Sequence, residues 1–188
     1  MLSGYSEPKS WNKLALAPLW LKDKFLYLIG REAENAKAGE KAHIVAKMNS
    51  LCDRDIIEAL YKASAAGVKI ELIVRGICCL KVGIPGISEN ITVRSIVGNF
   101  LEHARIYYFE NAGSPEVYMS SADWMPRNLI NRIEVLTPVY DEDMQADLLR
   151  TISYGMRDTM NGRVVDGKGG KEFVAVSYTH LRAHETTL

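Results

Sequence analysis

His103 and Arg105 are the two residues of this chain whose types and spacing best suit phosphate chemistry. They lie in the segment LEHARIYYF, whose aromatic and β-branched residues predict a strand over 104–109. Residues two apart on a strand share a face, so the imidazole and the guanidinium should project together. An imidazole can transfer a proton, attack phosphorus or hydrogen-bond a phosphoryl oxygen, while a guanidinium binds oxygens through a planar fork of donors. Taken alone, a His-x-Arg pair is more often structural than functional.

A second polar segment, SSADWMPRN, should return to the same end of the sheet. The residues between the two segments have the turn chemistry of a hairpin. The hairpin would deliver a set of polar side chains towards the histidine: Ser120, Ser121, Asp123 and Arg127. Hydroxyls and a carboxylate beside a histidine can orient its ring. The alternative is a loop with a side-chain turn bond and a packed Trp124.

A strand, a helix and a second strand follow one another over 44–74. Residues 44–48 are apolar and β-prone, Asp53 can cap a helix that runs through Ala66, and VKIELIV is a strong strand pattern. This order predicts a right-handed crossover between two parallel strands. Ligand groups gather at the carboxyl ends of such strands, and Arg75 lies at that end.

The remaining patterns predict further helices and strands around this unit. A helix should follow Pro18 and end near Gly39, and another should begin at Asp141. Further β-prone runs lie at 91–97, 116–120 and 132–140. With 188 residues, of which 47% are hydrophobic, the chain can bury one ordinary core. We therefore expect an α/β domain.

Charge and cysteine usage narrow the class of protein. Lysine and arginine (23) balance aspartate and glutamate (23), so affinity for a polyanion must come from a local cluster, and a general nucleic-acid partner is not expected. Cys52, Cys78 and Cys79 lack metal-ligand spacing, and an odd count argues against a disulfide scaffold. The pattern favours the cytoplasm. No signal peptide or membrane-spanning run is expected.

The histidine segment resembles the phospholipase D superfamily, whose signature is His-x-Lys followed by Gly-Ser-x-Asn. Here Arg105 stands for the lysine, and SSAD, at 120–123, stands for Gly-Ser-x-Asn. The aspartate that usually follows the histidine at a fixed interval is absent. These departures make hydrolysis of a phosphodiester a weaker interpretation.

A longer ordered series resembles the C-terminal region of polyphosphate kinases, which share the phospholipase D-like fold. It extends from about residue 4 to 170 and includes NKLALAP, REAENAKAG, AKMNSL, DRDIIEALYKAS, GVKIELIVRGICCL, GIPGISENITVRSIVGNFLEHARIYYF and VYMSSADWMPRNL. The resemblance implies a mixed sheet flanked by helices over 14–170. Residues 1–13 would be the trailing end of a preceding catalytic half. Residues 171–188 are expected to be a non-native or disordered tail, because VSYTHLRAHETTL resembles a translated sequencing adapter.

The same resemblance implies an activity and a set of site residues. The intact enzyme would move the terminal phosphate of ATP reversibly onto polyphosphate through a phosphohistidine. His103 would assist catalysis, and Arg75 and His103 would contact nucleotide phosphates. Arg105 and Ser121 complete the set of phosphate-binding residues that we expect. The phosphorylated histidine and the ligands of Mg²⁺ would lie in the preceding half.

The expected partners are ATP or ADP, polyphosphate, the N-terminal half of the same enzyme and further copies of the intact enzyme. Membrane association of the intact enzyme stays open. By itself the chain should bind phosphates and be inactive. Two alternatives remain: a phosphodiesterase that completes its histidine pair as a homodimer, and a non-catalytic polyanion-binding module. Release of an alcohol or nucleotide would support the first, and binding without turnover the second.

Overall fold

The computed structural model describes residues 11, 13–96, 102–158, 162–165 and 171–173. Three helices lie in these ranges: α1 (Leu21–Lys37), α2 (Arg54–Ala65) and α3 (Glu142–Arg157). The strands are β1 (Ala15–Ala17), β2 (His43–Met48), β3 (Lys69–Val74), β4 (Ile91–Ile96), β5 (Ile106–Phe109), β6 (Glu116–Ser120), β7 (Glu134–Val139), β8 (Gly162–Val165) and β9 (Lys171–Phe173). Among these helices, none combines the length and apolarity needed to cross a bilayer.

All the described strands join one mixed sheet in the order β1-β7-β6-β5-β2-β3-β4-β8-β9. The central strands β2, β3 and β4 are parallel to one another, and the outer neighbours pair antiparallel. Helices cover both faces. The predicted α/β sheet flanked by helices is therefore confirmed.

The predicted crossover from β2 through α2 to β3 is also confirmed. Asp53 is the N-cap of α2, and its carboxylate accepts hydrogen bonds from the backbone N–H groups of Asp55 and Ile56, both at 3.1 Å. The two strands then pair in parallel with His43 opposite Lys69. Because parallel strands end at the same edge, this unit brings the residues after Met48 and Val74 together.

The larger part of the core lies between the sheet and helices α1 and α2. At its centre, the rings of Phe25 and Tyr107 have centroids 4.7 Å apart, and Tyr107 stacks on Trp124 at 5.1 Å. All three side chains are fully buried. Trp124 thus anchors the segment that follows β6 against the core.

Helix α3 covers the other face through a smaller cluster, in which Ile152 is buried against the sheet. Gly155 sets how closely this helix approaches. A Cβ atom at that position would lie 2.8 Å from Cδ1 of Ile73 and 3.0 Å from Cδ1 of Ile96, closer than van der Waals contact. Glycine therefore lets the last turns of α3 lie directly on β3 and β4.

Several boundaries differ from the predictions. The strand expected over 104–109 begins at Ile106, so His103 and Arg105 precede it. The short strands β1, β8 and β9 were not predicted. Within the segment expected to be a tail, Lys171–Phe173 pairs with β8, and the rest of that tail lies outside the described residues, as do residues 1–10.

Candidate functional site

Arg75 and Asn49 meet at the carboxyl ends of β3 and β2. Nε and Nη2 of Arg75 donate to Oδ1 of Asn49 at 3.0 and 2.6 Å, and Nη1 donates to the carbonyl oxygen of Glu102 at 3.0 Å. Three of the five guanidinium hydrogens are used in this way. Among the described residues, one hydrogen on each Nη has no partner and is left for a ligand.

His103 and Arg105 also meet, although neither lies on a strand. Nη1 of Arg105 lies 2.8 Å from Nδ1 of His103. A guanidinium carries donors only, so Nδ1 accepts this hydrogen bond and the ring proton lies on Nε2. The histidine therefore presents an N–H donor on the side of the ring that faces away from Arg105.

Asp123 holds Arg105 in this position. Nε and Nη2 of Arg105 donate to the two carboxylate oxygens at 2.8 and 3.2 Å. The Asp123 side chain is 2% exposed. Burial alone would lower the pKa of Arg105, but the hydrogen bonds and charge of Asp123 outweigh it and raise that pKa. Most of the donors of Arg105 are thus committed to Asp123 and His103, so the residue orients the imidazole.

These contacts close into a ring. Oδ1 of Asp123 accepts a further hydrogen bond from the backbone N–H of Asn49, at 2.8 Å. The bonds thus link Arg75 to Asn49, Asp123, Arg105 and His103 in turn. The carbonyl oxygen of Glu102, which precedes His103, accepts from Arg75 and closes the ring. We call these five residues the phosphate ring, after the ligand expected from the sequence.

The hydroxyl of Ser121 makes no hydrogen bond to the phosphate ring among the described residues. Its hydroxyl donates to the carboxylate of Glu134 and accepts from the backbone N–H of Val135 at 3.1 Å. These bonds extend the pairing of β6 with β7. Arg127 is exposed on a π-helical turn and has no side-chain partner among the described residues. That Ser121 binds phosphate therefore stays a prediction.

The SSADW segment has the features of the packed loop that was the structural alternative. The hydroxyl of Ser120 accepts from the backbone N–H of Ala122 at 3.0 Å, which is the side-chain turn bond expected of a loop. Trp124 is buried, as the structural alternative requires. Asp123 nevertheless belongs to the phosphate ring, so the packed loop also positions the carboxylate that holds Arg105.

An open cavity of about 630 Å³ adjoins His103. Its described lining comes from β2, the residues before β5 and the last turns of α3, and includes Lys47, Glu102, His103, Thr151, Tyr154 and Asp158. Lys47 is 7% exposed and forms an ion pair with the carboxylate of Glu102. The cavity thus places one ammonium group near the imidazole.

The contribution of α3 to this cavity was not predicted. Its residues carry no motif, and their approach to β3 and β4 is a tertiary contact. The one signal in the sequence was Gly155 inside a helical pattern, which often marks close packing.

No magnesium site is found in the part of the chain that the structure describes. There, no three histidine, cysteine, aspartate or glutamate side chains are grouped so that they could hold a metal ion. Two carboxylates at or beside the cavity are paired with cations: Glu102 with Lys47, and Asp123, in the phosphate ring, with Arg105. The described residues therefore do not fit Mg²⁺.

The sequence matches a known family over most of its length. Residues 14–183 match the model of the polyphosphate kinase C-terminal domain 2. The chain belongs to the polyphosphate kinase family. Polyphosphate kinase from Halalkalibacterium halodurans is 50% identical over 173 residues, which are 92% of this chain and 24% of that protein. The enzyme from Thermosynechococcus vestitus is 49% identical over 158 residues, 84% of this chain and 22% of the relative. The chain thus spans about a quarter of the length of these polyphosphate kinases.

Solved structures agree with this family. Polyphosphate kinase from Porphyromonas gingivalis superposes with a TM-score of 0.89 at 41% identity, covering 94% of this chain and 27% of that one. A phospholipase D family member, Nuc from Salmonella typhimurium, gives a TM-score of 0.59 at 16% identity, covering 81% of this chain and 96% of that one. The second likeness concerns the fold alone. It confirms that the fold of this domain is phospholipase D-like.

Proposed function

We propose that this chain forms one phosphate-binding part of a polyphosphate kinase, which moves the terminal phosphate of ATP reversibly onto polyphosphate. The phosphate ring beside the open cavity is the observation that carries the proposal. It gathers donor groups at the carboxyl ends of parallel strands, where ligands of α/β sheets bind. Binding of phosphates is the function that this geometry supports directly.

His103 acts as a hydrogen-bond donor in this proposal. Because Nδ1 accepts from Arg105, Nε2 carries the proton and has no lone pair with which to attack phosphorus. An N–H group aimed at a phosphoryl oxygen stabilises the charge that develops during transfer. The hydrogen bond from the positively charged Arg105 to Nδ1 keeps the imidazole of His103 in this tautomer. His103 therefore assists transfer, and the phosphohistidine forms on another residue.

The described residues offer no second histidine for that role. His43 lies at the start of β2, where Nε2 is 2.8 Å from the carboxylate of Glu71. Each residue of β2 adds about 3.3 Å along the strand, so His43 lies roughly 20 Å from Asn49 of the phosphate ring. We infer that the phosphorylated histidine is supplied by a part of the intact enzyme that this chain does not span.

Arg75 and Lys47 supply positive charge for the ligand. Two guanidinium hydrogens of Arg75, one on each Nη, have no partner among the described residues and suit two oxygens of one phosphate. Since Glu102 and Asp123 neutralise two of the three nearby cations, the attraction is local and modest. Binding of polyphosphate should therefore weaken with salt.

The hydrogen bonds of Arg105 to Asp123 give no support to phosphodiester hydrolysis.

The decisive experiment is to incubate the chain with labelled ATP and Mg²⁺, and separately to titrate it with polyphosphate at two salt concentrations. We expect salt-sensitive binding without synthesis of polyphosphate. Synthesis by the chain alone would contradict the proposal, as would the absence of any phosphate binding.

A further inference from the structure

Two short segments run parallel just beyond β2 and β3. The backbone N–H of Leu51 donates to the carbonyl of Ile77, and that of Cys79 donates to the carbonyl of Leu51, both at 2.8 Å. These bonds place Leu51 directly opposite Cys78 in a parallel bridge. The next residues along each segment, Cys52 and Cys79, are therefore neighbours across the bridge.

Alternation of side chains separates the adjacent cysteines of the second segment. Cys78 packs against the larger core, whereas Cys79 is exposed. Cys52 is partly exposed, and its thiol donates to the carbonyl oxygen of Ile77, two residues before Cys79, at 3.9 Å. Neighbouring strands lie about 4.8 Å apart, which falls in the range of about 4.4 to 6.8 Å between the Cα atoms of disulfides.

We propose that Cys52 and Cys79 form a reversible disulfide when the protein meets a small disulfide such as oxidised glutathione. The exposed thiolate of Cys79 attacks one sulfur of glutathione disulfide and releases one glutathione thiolate. Cys52 then attacks the Cys79 sulfur of the mixed disulfide and releases the second. The two protons lost by the protein thiols end on the two glutathiones, so one disulfide is exchanged for another.

The order of these steps follows from the greater exposure of Cys79 and from the raised pKa of Cys52. Burial, together with the neighbouring Cys79 thiol, raises the pKa of Cys52 to about 11. Few Cys52 thiolates exist near neutral pH, so Cys79 is the better first nucleophile and Cys52 the resolving one. The rate of the second step should rise with pH.

The cross-link would tie together the two loops that carry Asn49 and Arg75. These loops are already in contact, because a Cβ atom on Gly76 would lie 2.9 Å from the carbonyl oxygen of Asn49. The cysteines themselves lie outside the phosphate ring. Disulfides that form in a reducing compartment are typically transient and sense the redox state. A reversible bond between these two loops would have that character.

Peptide mapping tests the pair without any variant. The full chain is treated with oxidised glutathione, alkylated and digested with trypsin, which yields MNSLCDR with Cys52 and GICCLK with Cys78 and Cys79. We expect the two peptides joined by one disulfide in monomeric protein, and separate again after reduction. Unlinked peptides, a bond within GICCLK, or a link found only in covalent dimers would overturn the proposal.

Single variants then identify the partner of Cys52. Cys78→Ser is the matched control, since it changes the adjacent thiol, and the linked peptides should persist. Cys79→Ser should abolish the link, with folding checked by circular dichroism. Persistence of the link in Cys79→Ser, or its loss in folded Cys78→Ser, would show that the core-facing cysteine is the partner and would overturn the assignment.

Discussion

Asn49 and Arg75 join the ends of the two central parallel strands, with Nε and Nη2 of Arg75 both donating to Oδ1 of Asn49. The backbone N–H of Asn49 in turn donates to Asp123. A single amide residue therefore links the arginine after β3 to the carboxylate that orients Arg105 and His103. The relationship explains how side chains from four separate segments are held at one edge of the sheet.

Arg75→Ala should weaken binding of ADP or polyphosphate more than Arg75→Lys does. A guanidinium grips two oxygens, while an ammonium acts as a point charge. Loss of the charge-assisted bond should cost roughly 1.5 to 3 kcal/mol, measured by isothermal titration calorimetry. Arg127→Ala is the control, because it removes an exposed arginine that makes no hydrogen bond to the phosphate ring among the described residues. Equal affinity of wild type and both Arg75 variants would place Arg75 outside the site.

Asp123→Ala should destabilise the fold. The carboxylate and Arg105 are 2% and 12% exposed, and removing one partner leaves the other charge buried without compensation. We expect a loss of about 3 kcal/mol in the free energy of unfolding, measured with urea. Asp147→Ala, which removes a surface ion pair with Arg150, should change it by less than about 1 kcal/mol. A similar effect of both variants would contradict the role given to Asp123.

Acid should weaken the contact between Glu116 and Arg31. Burial alone would raise the pKa of Glu116, but hydrogen bonds from Arg31 and Tyr118 lower it below the ordinary value of 4.5. A carboxyl with a lowered pKa in the folded state stabilises the fold above the unfolded pKa, and this contribution is lost as pH falls through the folded value.

Glu116→Gln tests that pH dependence. The free energy of unfolding of wild type minus that of the variant should be positive near neutral pH and shrink as pH falls below about 4.5. Urea titrations between neutral and acidic pH measure the difference. A difference that stays constant or grows on acidification would show that Glu116 is not stabilised as a carboxylate.

The sequence predicted the parts of the fold that depend on local patterns. Asp53 caps α2 as expected, because its spacing to the helix and the flanking strands is a local signal. The strand β1, in contrast, has three residues and exists through pairing with β7, which is distant in the chain. Such short edge strands have too few residues to show a period.

The candidate site was predicted in part, and one reason was wrong. His103 and Arg105 do lie together, but they precede β5, and Asp123 rather than strand alternation fixes their contact. Ser121 has a suitable type, yet its hydroxyl bonds with Glu134. The choice between these partners depends on contacts across the sheet. Local residue patterns do not contain them.

The most direct test of the account is made in an intact enzyme. Residues 14–170 of this chain would replace the matching segment of the Halalkalibacterium halodurans polyphosphate kinase, and the initial rate of labelled phosphate incorporation from ATP would be measured. His103→Ala should lower this rate about 100-fold or more, and His103→Gln, which keeps an N–H donor, should lower it less. His43→Ala is the control and should leave the rate near that of the unsubstituted chimera. An unchanged rate with His103→Ala would contradict the account.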